Sequence, residues 1–419
     1  MPPWCLPRFA SPWAALALVA ALAGCVGSSG MVPAPVTAPQ SAFARPIAPL
    51  PAPALPAAPA APVAAGPAKV ALLVPLSGAN AELGKAILEA AQLALFETGG
   101  DRLTLVPRDT GGTADGAANA ARSAVTEGVR LILGPLLAAE VEAVKPVARE
   151  ANINMIAFST ATQLAGGNTY LMGFLPRQEV VREVSFARER GLSRFAALAP
   201  NSAYGHLMTD ALRDVATSAG GLVARIEYYE PRGAADVTAA IQRLLPGSAG
   251  AGTAAGSGAS GFDALLLPEG GARLKQIGQQ LRSAGLDTSR ARLLGSGLWD
   301  DPSNAGEPAL YGGWFAASPP EARRDFENHY QATYGHAPPR LASLGFDGAA
   351  LAAVLARGEG GEPFSAQAIQ NPSGFTGVDG LFRFTPTGLV QRGLAVLEVE
   401  AQGNVVVGSA PQTFQDLAY

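Results

Sequence analysis

One stretch governs what this chain can fold into: residues 69–95, KVALLVPLSGANAELGKAILEAAQLAL. It opens with the apolar run 70–74, whose length and Val/Leu content suit a strand buried on both faces of a parallel sheet. A turn carrying Ser77 and Gly78 follows. From about Ala81, apolar residues recur three or four apart (Leu83, Ile87, Ala91, Leu95), the period of a helix lying on that sheet. Strand, Gly-containing turn and helix make the first half of a βαβ unit. The turn sits at the carboxyl end of the strand, where open α/β sheets bind ligands. Its amides and hydroxyl face a helix N-terminus, which suits an anion or carboxylate.

Three readings compete at that turn. A P-loop is nearly spelled, but five residues rather than four separate Gly78 from Gly84, and Ala86 follows Lys85, leaving no hydroxyl for Mg²⁺. A small-molecule or carboxylate contact through Ser77 and Gly78 is the second. The third makes Ser77 a plain helix cap.

From there strands and helices alternate. Strands are expected at 102–108, 129–133, 153–158 and 169–174, with helices at 113–127 and 138–150 between them. A second set begins at Arg177, with helices at 178–190, 202–219, 234–245 and 271–284, and strands at 194–199, 223–229, 262–267 and 291–294. Residues 247–261, nearly all Gly, Ala and Ser, interrupt it as a flexible insertion. The expected fold class is therefore α/β: two Rossmann-like lobes with parallel sheets and a cleft between them. The last third supplies a strand at 312–317, helices at 321–334 and 340–356, and antiparallel strands at 381–385, 394–399 and 404–407. These pieces complete both lobes, so the chain crosses between them more than once. The expected boundaries are 69–174 plus 316–391 for lobe 1 and 175–315 plus 392–419 for lobe 2.

The N-terminal part reads differently. Residues 14–23 are apolar behind a start whose only basic residue is Arg8, too short to span a bilayer and matched to a signal-peptide core. The string Leu22-Ala23-Gly24-Cys25 resembles the lipobox of bacterial lipoproteins. That resemblance implies cleavage after residue 24, acylation of Cys25 and a membrane anchor. Val26 and Gly27 follow without an acidic residue, which by the same resemblance favours the outer membrane facing the periplasm. Residues 26–68 are almost all Ala, Pro and small residues, with Arg45 the one charge, and cannot bury a core. At ~3.1 Å per residue in extended form, about 40 residues reach about 130 Å, a spacer between membrane and domain.

Charge and catalytic inventory exclude several classes. Charged residues are 15% and the net charge is −4, with no electrostatic footprint for nucleic acid. His206, His329 and His336 form no HExxH pattern, and neither a GxSxG elbow nor a Cys-rich metal spacing occurs. No cofactor, metal or catalytic residue is expected, and the chain is read as binding rather than catalytic.

From Lys69 onward the chain resembles a type I periplasmic solute-binding protein of the leucine/isoleucine/valine-binding class. The pieces are VALLVPLSG with Gly84, Asp109 before an Ala-rich helix, ILGPL at 132–136, INMIAFSTAT at 153–162, Tyr204-Gly205 after a strand, and GLFRFTPTG at 380–388. The resemblance implies three crossovers, placed near Phe174, Phe315 and Arg392. It implies a small polar ligand, and an importer permease as partner. The serine that grips a ligand carboxylate in transport members is replaced by Ala138, whereas Ala161 and Thr162 keep the family pair, with Ser159 and Thr160 beside them. An acidic residue expected near Gly297 is missing; Asp300, Asp301 or Glu269 are candidate substitutes, and Trp299 a candidate stacking face. GPLLAAEVE at 134–142 further resembles the C-terminal domain of penicillin-binding protein activators, lipoproteins that stimulate a peptidoglycan synthase. Activator of cell-wall synthesis is the leading expectation from sequence, and importer receptor the alternative.

Overall fold

The computed structural model describes residues 66–99, 101–231, 234–245, 261–358 and 362–415. Cys25 and its signal segment, the spacer up to residue 65, and insertion residues 247–260 lie outside the described residues.

The 70–74 run becomes the core of β1 (Ala68–Val74), with each of these five residues fully buried. α1 (Ala81–Thr98), β2 (Leu103–Asp109), α2 (Ala114–Thr126), β3 (Leu131–Leu133), α3 (Ala138–Glu150), β4 (Asn154–Ala157) and β5 (Thr169–Leu171) follow. The five strands form one parallel sheet in the order β2-β1-β3-β4-β5. Alternation along β1 explains the layers on either side. Val70, Leu72 and Val74 share a core with α1, while Ala71 and Leu73 face the Ala-rich inner sides of α2 and α3.

The second lobe repeats the plan. It takes α4 (Pro176–Glu189), β6 (Arg194–Pro200), α5 (Ala203–Ser218), β7 (Leu222–Tyr229), α6 (Ala234–Leu244), β8 (Ala264–Leu266), α7 (Gly271–Ser283), β9 (Arg292–Leu294) and β10 (Trp314–Ala317). Ala196 and Leu198 of β6 pack against α6 and α7; Phe195 and Ala197 pack against α4 and α5. Both lobes open with the same device. A Cβ on Gly84 would stand 1.8 Å from the Pro75 carbonyl oxygen, and one on Gly205 would stand 2.0 Å from that of Pro200. Only glycine lets the first helical turn close down on the strand end.

The chain then returns to the first core with α8 (Pro320–Tyr334), α9 (Ala342–Arg357) and α10 (Ala366–Ile369). α9 lies against α1 so closely that a Cβ on Gly345 would meet the Ile87 carbonyl at 2.2 Å. Next come β11 (Phe375–Gly377), β12 (Gly380–Phe384) and β13 (Val390–Arg392), a small antiparallel sheet touching the first through a bridge between Leu171 and Leu389. The sequence shows only β12 of these. Its neighbours are three residues long, too short for alternation to register. Finally β14 (Ala395–Glu400) and β15 (Gly403–Gly408) extend the second sheet antiparallel, giving the order β15-β14-β10-β9-β8-β6-β7.

Candidate functional site

A cavity of about 750 Å³ opens where the carboxyl ends of the two parallel sheets meet. The first lobe contributes the start of α1 (Asn80, Leu83), the segment after β3 (Leu136, Leu137, Ala138) and the segment after β4 from Phe158 to Gln163. It also contributes Phe174, and Arg340 with Leu341 ahead of α9. The second lobe contributes Glu179 on α4, Tyr204 and Leu207 on α5, the turn Gly297, Leu298 and Asp300 after β9, and the end of β10 from Ala316 to Ser318.

Local chemistry explains these placements. Glu140 is fully buried; it accepts from the Thr110 hydroxyl and, at 3.0 Å, from the Leu137 amide, closing the N-terminus of α3. That turns Leu136 and Leu137 toward the cavity. On the next segment the Ser159 hydroxyl accepts from the Ala161 amide at 3.2 Å, which holds Thr160 and Thr162 outward and exposed. On the second lobe Ser202 caps α5 by accepting from the Gly205 amide at 3.2 Å, presenting Tyr204 in its first turn.

Of the residues singled out in the sequence, Ala138, Ser159, Thr160, Ala161, Thr162, Tyr204 and Asp300 come together in this wall. Four do not. Ser77 and Gly78 are exposed and outside the lining; Asp109 Oδ1 accepts from the amides of Leu76, Ser77 and Gly111 at 2.8, 3.2 and 2.8 Å, tying that turn to its neighbour. Glu269 accepts from the buried Tyr229 hydroxyl at 2.5 Å and stands away from the cavity. Trp299 is fully buried rather than a stacking face: its indole Nε1 donates to the Leu267 carbonyl at 3.1 Å. The indole fills room left by two glycines, since a Cβ on Gly295 or Gly313 would meet the ring at 2.3 or 2.6 Å.

Two residues that the sequence did not reveal dominate the electrostatics. Glu179 Oε2 accepts from the Gly297 amide at 2.9 Å, and a Cβ on Gly297 would stand 2.7 Å from Oε1. A carboxyl thus stands beside Gly297, brought from α4, 118 residues away in the chain. Burial pushes Glu179 up to about 7, against the Gly297 hydrogen bond and the Arg340 charge. Burial also raises the Tyr204 hydroxyl, and the Glu179 charge adds to it.

Arg340 lies with its guanidinium carbon 4.0 Å from the centre of the Phe174 ring. It donates to Ser343 and Ser318 hydroxyls at 3.0 and 3.1 Å and pairs with Asp379 at 2.9 Å. Behind it sit Asp347, Asp379 and Arg392, all buried. Arg392 donates to the Met172 carbonyl at 2.7 Å. Burial and the neighbouring Asp379 push Asp347 up to about 7. Burial would raise Asp379 too, but Arg340 and Arg392 outweigh it and hold that carboxyl below its ordinary value. Asp300 is paired with Arg323, and both side chains are largely buried. Among the described residues no group of three or more His, Cys, Asp or Glu side chains could hold a metal ion, and no helix is long and apolar enough to cross a membrane.

Two lobes of largely parallel sheet with a cavity at their facing strand ends make the architecture of a two-lobed binding protein. Comparison with known families agrees: a family model described as periplasmic binding protein matches residues 67–404. The chain belongs to that family, in its type I, leucine/isoleucine/valine-binding class. Solved structures share the fold. A putative branched-chain amino acid ABC transporter protein from Rhodospirillum rubrum is 21% identical, with 81% of this chain and 100% of that one covered and a TM-score of 0.70. An ABC transporter substrate-binding protein from Sphaerobacter thermophilus is 23% identical, over 83% and 98%, with a TM-score of 0.66. A solute-binding protein of an ABC transporter from R. palustris, solved with benzoate, is 19% identical, over 83% and 97%, with a TM-score of 0.57. No curated protein matches the chain.

Proposed function

We propose that this protein is the ligand receptor of an ABC importer, holding a small molecule between its lobes and presenting it to a permease. The observation that carries this reading is the cavity of about 750 Å³ at the strand ends of a chain of this family, within the range of small-molecule sites. The similar solved proteins include ABC transporter substrate-binding proteins, which supports the importer role over the activator role favoured from sequence. The GPLLAAEVE string that suggested an activator has a local role here. Leu136 and Leu137 line the cavity and Glu140 closes the end of α3. The reading is one of binding without catalysis.

The Leu22-Ala23-Gly24-Cys25 string supports a lipid anchor at Cys25, and the absence of an acid after it supports the outer membrane. The Ala/Pro-rich composition of the segment after Cys25 supports its use as the spacer between anchor and receptor. The reading is tested by thermal shift of the mature protein against amino acids, aromatic acids and small amines. A tight ligand raises the melting temperature by several degrees through mass action. Silence across the panel, together with specific capture of a peptidoglycan synthase, would reverse the order of the two roles.

A further inference from the structure

Three charged side chains line the cavity: Glu179, Asp300 and Arg340. Two are committed to protein partners. Asp300 is paired with Arg323. Arg340 is paired with Asp379, and both of its terminal nitrogens donate to serine hydroxyls. Glu179 is different. Its Oε2 takes the Gly297 amide, and among the described residues no donor reaches Oε1. The rest of the surface is mainly apolar, from Leu83, Leu136, Phe158, Phe174, Leu298 and Leu341. The facing wall offers the exposed Thr160 and Thr162 hydroxyls and, among the described residues of the lining, no unpaired cation.

Taking the cavity as the ligand site, we propose that it receives a molecule with an ammonium head on an apolar body, held by Glu179, in preference to a carboxylate or a zwitterion. An entering carboxylate meets the like charge of Glu179, while the lining's one cation, Arg340, is already paired with Asp379, so its desolvation is offset only by neutral donors such as Thr160 and Thr162. An ammonium meets an acceptor whose second oxygen is already oriented by Gly297. Its hydrocarbon part replaces water along the leucine and phenylalanine surface.

The geometry makes binding depend on pH. The groups facing Glu179 are Arg340 ahead of α9, Tyr204 on α5, and Glu183 one turn along α4. Burial holds Glu183 well above its ordinary value, and burial likewise raises the Tyr204 hydroxyl. Glu179, at about 7, is then the group that titrates. A bound ammonium favours its carboxylate, so binding releases a proton where the free cavity holds one. Affinity falls as pH drops below about 7, at most tenfold per unit.

The test is calorimetric titration of the mature protein with matched sets: isoamylamine and phenethylamine, isovalerate and phenylpropionate, leucine and phenylalanine. We expect the amines to bind and to weaken by about tenfold between about pH 8 and about pH 6. Glu179→Gln keeps an acceptor for the Gly297 amide and is expected to cut amine affinity by about tenfold or more and to flatten the pH profile. Gly297→Ala, whose methyl displaces Oε1, is expected to weaken amines while leaving the melting temperature nearly unchanged. The pH profile of the unaltered protein stands as a test even if a variant folds poorly. Tighter binding of the carboxylates or amino acids, or equal amine binding by Glu179→Gln, overturns the ammonium preference and leaves the cavity reading standing. No binding from any of the three sets brings down both.

Discussion

The two walls of the cavity begin alike and end differently. Each lobe starts with a buried strand, a proline, and a helix whose early glycine closes on the proline carbonyl, Pro75 with Gly84 and Pro200 with Gly205. Beyond that point the first-lobe loops offer hydroxyls and apolar faces, Thr160 and Thr162 beside Leu136 and Phe158. Its charged groups are withdrawn beneath the surface, where Asp347, Asp379 and Arg392 lie buried against Arg340. The second-lobe wall keeps a carboxyl, Glu179, on the cavity lining. The same scaffold thus ties its buried charges to one another on one side and, among the described residues, leaves one carboxyl oxygen without a protein donor on the other. The difference lies in whether each ion finds a protein partner.

The largest effect is expected where charge serves support. Arg392→Met leaves Asp347 and Asp379 buried with only Arg340 to balance them, and should cost about 3–5 kcal/mol in denaturant unfolding. A loss under about 1 kcal/mol would mean the buried ions do not hold this wall, and the contrast between walls would fail.

Next comes Trp299, which belongs to the second-lobe core and not to its cavity face. Trp299→Phe removes one of two hydrogen bonds to the Leu267 carbonyl, which keeps that of the Glu269 amide at 2.9 Å, at about 0.5–1.5 kcal/mol. Ligand affinity should stay unchanged. A tenfold loss of affinity without loss of stability would put Trp299 back on the recognition surface.

Glu179→Gln sharpens the comparison in the absence of ligand. Burial pushes the folded carboxyl up to about 7 from an ordinary value of 4.5. The native state therefore holds a proton that the unfolded chain gives up, and the stability from this group falls as pH rises through that interval. Removing the acid should raise the melting temperature by roughly 2 °C at about pH 8 and leave it unchanged at about pH 4. An acid fully at ease in its site would show no such gain, and the open carboxyl would then be no cost to the fold.

How much of this was readable in the sequence follows from the distance over which each feature is decided. The alternation of elements is local. The apolar run 70–74 and the three-to-four spacing after it gave the first strand and helix, and the same signals gave most of the second lobe. Residues just past strand ends, such as Thr160, Thr162 and Tyr204 in the first turn of α5, were placed by the sequence pattern near this lining, because a parallel sheet puts its carboxyl ends together. The acid of the second wall was not. Glu179 looks like one more polar position on an amphipathic helix, and only folding brings it to the Gly297 amide. Trp299 misled for the opposite reason: a tryptophan amid small and acidic loop residues looks exposed, while the room for its ring comes from Gly295 and Gly313.

The smallest effect is expected at the turn from which the sequence argument began. Ser77 is exposed and stands outside the cavity lining. Its side chain is the main influence holding Asp109 below its ordinary value, but the amides of Leu76, Ser77 and Gly111 also reach that carboxyl. Ser77→Ala removes one of several donors from an exposed acid and none from the cavity. Stability should change by no more than about 0.5 kcal/mol, and ligand affinity by less than about twofold. A tenfold loss of affinity would mean that the lobes close far enough in the bound state to bring this turn onto the ligand. Recognition would then be shared between the two walls, and the division drawn above would hold only for the open cavity.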